Sequence, residues 1–290
     1  MESPKTLSFF EMLVKTSYQT LITAPEDKSI ERPVSFGSGF IVQYDGDSYF
    51  VTADHTVHLD DYEASESRTG RDYRVSIFAC CSPADDILST VIVPLNGFYY
   101  MNRFDLEKPS EMPELVDVTV CKMQKEQFEY PFLTDEVRFF TGEVIHKGEA
   151  KLNMSVEYFC EPDMNQEYFI YGKVKTKIVD GIRLEWESTL KGGLKYIRKS
   201  GSFLLFNTLE TISDRKDWHG LSGSPVMSSE GELVGVLSAV LEGSHSIWVV
   251  PASTVKILIE VAAKEEQLQL EKMEQFGNQT DHFNNTVEDV

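Results

Sequence analysis

The sequence predicts an all-β protein with a helix near each end. Short runs rich in β-branched and aromatic residues alternate apolar and polar side chains, and this period of two is typical of strands. A turn signal, DGDS at 45–48, separates two such runs at 40–44 and 49–52 and predicts a hairpin. Little helical pattern separates the runs, which favours barrels or sandwiches. Further runs lie at 73–79, 90–94, 116–122, 137–145, 168–174, 182–187, 203–207, 233–240 and 247–250.

The leader, residues 1–32, is predicted to be helical. The apolar residues Leu7, Phe10, Leu13 or Val14, and Leu21 fit one helical face. We expect this face to pack against the strands, and contact with a partner protein is the alternative.

After the last run the pattern becomes helical again. Ser253 or Thr254 can cap a helix whose apolar stripe begins at Val255, so a helix is predicted over 253–276. Residues 277–290 lose this stripe, which predicts a flexible acidic tail.

Length and composition are those of a soluble globular protein. The chain has 290 residues, 41% of them hydrophobic and 26% charged, and it can bury a large core without a metal or a disulfide. Its formal net charge of −20 repels nucleic acid phosphates and anionic lipids, so neither is an expected partner. No apolar run approaches the roughly 18 residues that a bilayer-spanning helix needs. No phosphate-binding glycine loop and no cysteine spacing of a metal site occur, so no cofactor is expected.

Three segments carry residues that could act together in acyl transfer. The run GLSGSP at 220–225 can place a serine hydroxyl beside two backbone N–H groups aimed at one point. A serine is a weak nucleophile, so it needs a base and an orienting carboxylate. The run TADH at 52–55 ends in a histidine, and DVTV at 117–120 begins with an aspartate. On its own, the glycine-serine run would indicate only a tight turn.

With a fourth segment, VGVLSAV at 234–240, these runs resemble the trypsin/chymotrypsin superfamily of serine peptidases. The resemblance covers residues 35–264 and implies two six-stranded antiparallel β-barrels with the active site between them. It assigns residues 33–128 to the first barrel and residues 129–252 to the second. His55 and Asp117 then come from the first barrel, and Ser222 comes from the second.

The resemblance implies a role for each residue of the site. Ser222 is the nucleophile, His55 is the general base, and Asp117 holds the imidazole in the correct tautomer. The N–H groups of Gly220 and Ser222 form the oxyanion hole. Ser238 donates to Asp117, with a plain strand serine as the alternative.

Other carboxylates compete with Asp117 for the histidine. Asp54, Asp60 and Asp61 lie too close to His55 in sequence to reach the far side of its ring in the geometry that the resemblance implies. Asp117 could also be an ordinary carboxylate at a strand edge.

The resemblance also indicates a specificity pocket, formed by Lys216, Ser238, Val240 and His245. No acidic residue stands at its base, where a lysine and a histidine suit an acidic side chain, and Val240 narrows the wall. We therefore hypothesise that the residue before the cut bond, P1, is acidic or small.

Two departures from secreted relatives bear on compartment and control. Thr56 and Trp218 stand where those proteases carry cysteines, which argues for a reducing, cytoplasmic location. Leu221 replaces the aspartate that pairs with a newly cut N-terminus in many of them. The chain is in this respect closer to bacterial Deg-type or glutamyl-endopeptidase-type members. We expect that activity is controlled by a partner protein or by the leader, either of which would order residues 209–220.

The sequence therefore predicts a regulated intracellular serine endopeptidase whose substrates are polypeptides. The alternative is a catalytically silent binding module of the same fold, with a collapsed oxyanion loop. Ester hydrolysis on an α/β fold is disfavoured, because the parallel-sheet pattern that it needs does not occur.

Overall fold

The structure, a computed structural model, describes residues 8–27, 32–59, 73–80, 90–103, 107, 114–129, 131–138, 144–146, 148–179 and 183–285. Three α-helices occur in these residues: α1 (Phe9–Thr16), α2 (Asp54–Val57) and α3 (Ala252–Asn285). The strands of the first half are β1 (Tyr18–Thr23), β2 (Pro33–Tyr44), β3 (Asp47–Thr52), β4 (Arg74–Cys80), β5 (Thr90–Leu95), β6 (Phe98–Arg103) and β7 (Glu114–Met123). Those that follow are β8 (Val137–Arg138), β9 (Val144–His146), β10 (Met154–Ser155), β11 (Tyr168–Val179), β12 (Arg183–Ser200), β13 (Phe203–Asn207), β14 (Pro225–Ser228), β15 (Leu233–Val240) and β16 (Ser246–Pro251). Short 3₁₀ helices span Lys125–Phe128, Val156–Tyr158 and Arg215–Asp217.

The first lobe is a sheet of eight strands in the part of the chain that the structure describes. Its antiparallel order is β5-β4-β1-β2-β3-β7-β6, and β10 adds to β2 in parallel. The predicted hairpin is present as β2 and β3, which pair up to Tyr44 and Asp47 around the turn at Asp45 and Gly46. The lobe therefore has more strands than the six of the predicted barrel.

The leader is only partly helical, which corrects the prediction for residues 1–32. Residues Tyr18–Thr23 form β1, which lies between β2 and β4. All six of its side chains are buried. A strand that is covered on both faces loses the apolar-polar alternation of a half-exposed strand, so its pattern can be mistaken for that of a helix.

The second lobe is a closed barrel of six strands, in the order β11-β12-β13-β16-β15-β14. The predicted all-β class, with a helix near each end, is confirmed, and so is the six-stranded second barrel. In the described residues no helix is both long and apolar enough to cross a membrane.

Three apolar cores hold the fold together. One lies within the first lobe and includes Ile41 and Phe50, and another lies within the second barrel around Phe206. The third joins Val118 of β7 to Val236 of β15 and contains residues of both terminal helices. Because this shared core buries apolar surface from both lobes, the hydrophobic effect fixes the lobes relative to each other.

The terminal helices pack against this shared core. Ser8 and Glu11 form a capping box at the start of α1. Leu13 and Val14 of this helix are buried in the shared core. On α3, the predicted stripe is buried; it comprises Val255, Leu258, Ile259 and Ala262. The helix begins at Ala252 and continues to Asn285, beyond the predicted end at 276, and residues 286–290 lie outside the described residues.

Candidate active site

The topology places the predicted residues on the two sides of one cleft. His55 lies on α2, directly after β3, and β3 pairs with β7, which carries Asp117. Ser222 lies across the cleft in the loop between β13 and β14. The cleft has a volume of about 940 Å³, and both His55 and Ser222 line it.

The Asp117 carboxylate contacts His55 at two points. Its Oδ1 accepts a hydrogen bond of 2.9 Å from the backbone N–H of His55, and its Oδ2 lies 2.9 Å from the ring Nδ1. Asp117 is buried, and Ser238 Oγ also donates to Oδ2. Nδ1 therefore faces the carboxylate, which leaves Nε2 of the ring for other contacts.

The competing carboxylate Asp54 has a different partner. Its Oδ1 lies 2.9 Å from Nδ1 of His58, one turn along the chain. Asp60 and Asp61 lie outside the described residues. Of the two candidate carboxylates that the structure describes, Asp117 contacts the His55 ring and Asp54 contacts the His58 ring.

The Ser222 hydroxyl and its surroundings involve Ser238 a second time. Ser222 Oγ donates a hydrogen bond of 3.4 Å to the carbonyl oxygen of Ser238. Ser238 thus contacts the carboxylate through its side chain and the candidate nucleophile through its backbone. This arrangement ties β15 to both lobes of the site.

The loop around Ser222 presents two N–H groups that could bind an anion. In the described residues, no protein acceptor takes the N–H of Gly220 or that of Ser222. Gly220 has φ of +103°, a conformation that favours glycine, and a Cβ there would meet the carbonyl oxygen of Lys173. The carbonyl oxygen of Leu221 accepts a hydrogen bond of 2.8 Å from the Ser224 N–H. Because the peptide bond is trans, the Ser222 N–H points away from that carbonyl oxygen.

The electrostatics of the pair favour a charged Asp117. Burial acts to raise the pKa of Asp117, but the hydrogen bond and charge of His55, with the bond from Ser238, lower it below its ordinary value. Burial likewise acts to lower the pKa of His55, and the bond and charge of Asp117 overcome this and raise it above 6.5. The carboxylate therefore stays ionised while the imidazole is a stronger base than usual.

The predicted specificity residues divide into two groups. Lys216, Ser238 and Val240 line the cleft. His245 does not: its ring contacts Thr211 Oγ1 at 3.0 Å and the carbonyl oxygen of Thr208 at 3.1 Å. The prediction that His245 helps to form the pocket is corrected, because the loop before β16 carries it to an exposed surface.

Two further cations line the cleft that sequence reasoning missed. They are Lys175 and Arg215, and no Asp or Glu lines it among the residues described. Lys175 pairs with Glu187 at 3.0 Å and with Asp217 at 3.3 Å, outside the lining. Lys175 was hard to foresee because tertiary packing brings it beside Asp217, which lies far along the chain.

Ser38 is a third residue that sequence reasoning missed. It lies on β2 and is buried, and it bonds to the loop around Ser222. The run GSG at 37–39 could have indicated it, since small residues within an apolar strand are typical of a close approach by another backbone. Within the described residues no group of three His, Cys, Asp or Glu side chains could hold a metal ion.

The chain is similar to solved structures of serine endoproteases. The serine endoprotease of Yersinia pestis is 14% identical, with 89% of this chain and 67% of that chain covered and a TM-score of 0.45. Deg5 is 16% identical, with 85% and 88% covered and a TM-score of 0.45. The MamO protease domain of Magnetospirillum magneticum, in its apo form, is 14% identical, with 85% and 96% covered and a TM-score of 0.42.

No protein-family model and no curated protein matches the chain. TM-scores below 0.5 do not establish a shared fold on their own. The fold assignment therefore rests on the closed barrel and on the strand order of the first lobe.

Proposed function

We propose that this chain is a serine endopeptidase that hydrolyses peptide bonds through an acyl-enzyme. The observation that supports this most is the buried Asp117 carboxylate, which contacts both the backbone and the ring of His55 on a cleft that Ser222 shares. A carboxylate, an imidazole and a serine hydroxyl in this order supply the three functions that acyl transfer by serine needs.

In the proposed first step, Ser222 Oγ attacks the peptide carbonyl carbon, and His55 Nε2 takes the hydroxyl proton. When the tetrahedral intermediate collapses, the C–N bond breaks and His55 gives that proton to the leaving amine. Water then attacks the acyl-enzyme with His55 as base again, which releases the acid and restores Ser222. Asp117 stays ionised throughout and stabilises the imidazolium.

The negative charge on the attacked oxygen is met by the N–H groups of Gly220 and Ser222. Neither group donates to a protein acceptor in the described part of the chain, so neither must first give up a protein partner. In comparable sites the loss of one such donor costs about 10² to 10³ in kcat.

Polypeptides are the proposed substrates, and P1 is proposed to be acidic or small. Three cations line the cleft, namely Lys175, Arg215 and Lys216, and no described acid does. Lys175 is paired with Glu187 and Asp217, so Arg215 and Lys216 supply the local positive charge, which favours a negative substrate group in a chain with a net charge of −20. Val240 lines the same cleft and limits the size of an apolar side chain.

A reducing compartment and a regulatory partner complete the proposal. Cys121 and Cys160 are free thiols, which is compatible with the cytoplasm. The 209–220 loop, which carries Gly220, is the element on which a regulator would act.

Labelling with a fluorophosphonate probe tests the proposed activity. The wild type should form a covalent adduct at Ser222 and cleave a casein or peptide-library substrate, whereas Ser222→Ala should do neither. Ser224→Ala is the matched control, because it removes a neighbouring serine hydroxyl and should still be labelled. A folded wild type that stays unlabelled and does not cleave would leave the silent binding module as the correct function.

A further inference from the structure

Ser38 bonds to the backbone on both sides of Leu221. Its N–H donates to the carbonyl oxygen of Ser222 at 2.9 Å, and its Oγ donates to the carbonyl oxygen of Gly220 at 2.5 Å. Ser38 is 1% exposed, so water does not replace these bonds. A single residue of the first lobe thus contacts both Gly220 and Ser222, two cleft-lining residues whose N–H groups have no protein acceptor among the described residues.

Ser38 is also bonded to the turn that carries the histidine. Its carbonyl oxygen accepts 2.7 Å from Thr52 Oγ1, which lies 3.0 Å from Thr56 Oγ1. Thr56 Oγ1 in turn donates 2.7 Å to the carbonyl oxygen of Ala53. These bonds involve residues shortly before and after His55 in the sequence. Ser38 therefore connects the turn that carries His55 to the loop that carries Ser222.

Of the two bonds from Ser38 to this loop, the bond to the Gly220 carbonyl oxygen comes from the side chain, and the bond to Ser222 comes from the backbone. Gly220 has φ of +103° and no Cβ, so its backbone rotates more easily than that of a residue with a side chain. The carbonyl oxygen and the N–H of Gly220 belong to two different peptide planes that meet at its Cα. A bond to the carbonyl oxygen holds the following plane, so the N–H can then reorient only by rotation about the φ and ψ of Gly220. The other donor of the hole, the Ser222 N–H, lies in the Leu221–Ser222 peptide plane. That plane is held separately, by the bond from the Ser224 N–H to the carbonyl oxygen of Leu221.

We propose that Ser38 is a positioning residue that sets the oxyanion hole. Its hydroxyl keeps the Gly220 N–H directed into the cleft that His55 also lines. This inference rests on the proposed peptidase function, and it concerns a residue that touches neither substrate nor the attacking hydroxyl.

Ser38→Ala removes the hydroxyl and leaves the backbone bond to Ser222. Because the substrate still binds and the N–H is still present but no longer preorganised, kcat should fall about 10- to 100-fold, less than the roughly 10²- to 10³-fold for a donor that is removed outright, and KM should change less than about threefold. Affinity for a peptide aldehyde, whose tetrahedral adduct places an oxyanion in the hole, should fall in parallel with kcat. Ser38→Thr keeps the hydroxyl and should restore most of both.

Thr119→Val is the matched control. Thr119 is fully buried on β7 and its hydroxyl donates 2.8 Å to the carbonyl oxygen of Tyr99, so the change removes the same kind of bond away from the loop. Its kcat should stay within about twofold of the wild type. If Ser38→Ala also stays within that range, or if it raises KM alone, the proposed role of Ser38 is wrong.

An amide NMR spectrum separates this inference from the peptidase proposal. In Ser38→Ala the Gly220 resonance should shift or broaden, while in Thr119→Val it should not. A wild type without activity, combined with this Gly220 change, would reject the peptidase and retain the positioning role. An unchanged Gly220 resonance in Ser38→Ala would overturn the positioning role whether or not the chain cleaves peptides.

Discussion

Asp117 contacts His55 through the backbone N–H and through ring Nδ1, each at 2.9 Å. The two contacts fix different things. The backbone bond holds the turn that carries the histidine, and the ring contact selects the tautomer with its proton on Nδ1. The carboxylate therefore acts on both the position and the protonation of the imidazole.

Asp117→Asn should keep the backbone contact and lose the tautomer. An amide can accept from the His55 N–H, but its NH₂ cannot accept the Nδ1 proton. We expect kcat to fall by about 10⁴, as in other enzymes of this chemistry. Steady-state hydrolysis of a peptide substrate measures this. Asp54→Asn, which disturbs the His58 pair instead, should retain most activity, and equal losses in the two variants would contradict the assignment.

Activity should rise with pH on an acid limb whose midpoint lies above 6.5. The base must be neutral, and the pKa of His55 is raised, so the ring stays protonated and inactive to a higher pH than an ordinary histidine. A profile of kcat/KM against pH measures the midpoint. In Asp117→Asn it should move down, because only the smaller effect of the Asp54 charge then opposes burial. A wild-type midpoint below 6.5 would contradict the pairing.

Ser238→Ala should weaken catalysis through Asp117. The Ser238 hydroxyl donates to the carboxylate and contributes to its lowered pKa. A bond to a charged group is worth about 1.5 to 3 kcal/mol, so kcat/KM should fall by at least about tenfold. Ser228→Ala is the control, since that buried serine lies 3.4 Å from a carboxylate oxygen of Glu232, a residue that does not line the cleft. Equal activity of the two variants would show that the Asp117 bond is dispensable.

Lys216→Gln should reduce the preference for acidic P1 residues. Lys216 is exposed on the wall of the cleft, so its attraction for a carboxylate is screened by water. We expect the ratio of kcat/KM for acidic over neutral P1 to fall roughly fivefold, the scale of a solvent-exposed ion pair. Lys195→Gln, at a lysine that pairs with Glu167 outside the cleft, should leave the ratio unchanged. A cleavage profile dominated by arginine at P1 would contradict the prediction.

Leu13→Ala should destabilise the whole fold. Leu13 of α1 has no exposed surface and belongs to the core that both lobes share. Cavities of this kind cost about 2 to 5 kcal/mol of the free energy of unfolding, which a urea titration measures. Leu268→Ala is the matched control, because Leu268 is 49% exposed on α3 and its loss should cost under about 0.5 kcal/mol.

The parts of the site that the sequence predicts are those with local signals. His55 closes the run TADH, Asp117 opens the run DVTV, and Gly220 precedes the serine in a run of small residues. Each of these patterns lies within a few residues, so neighbouring side chains and backbone geometry determine it. The strand hairpin around Asp45 was predictable for the same reason.

What the sequence did not predict depends on contacts between distant segments. Residues 18–23 became a strand because β2 and β4 cover both of their edges. His245 left the cleft because of the course of the loop between β15 and β16, and Ser38 entered the site through a bond to a residue far along the chain. Local spacing carries no information about such pairings, which tertiary packing decides.

The core that spans both lobes also limits how a substrate can enter. Leu13, Val118, Val236 and Val255 belong to one continuous apolar body, so prising the halves apart would bring that body into contact with water. Separation of the lobes is therefore a costly way to widen the cleft. For a peptidase built in this way, an extended strand of a substrate can thread in, whereas a folded target must first unravel locally at the bond to be cut.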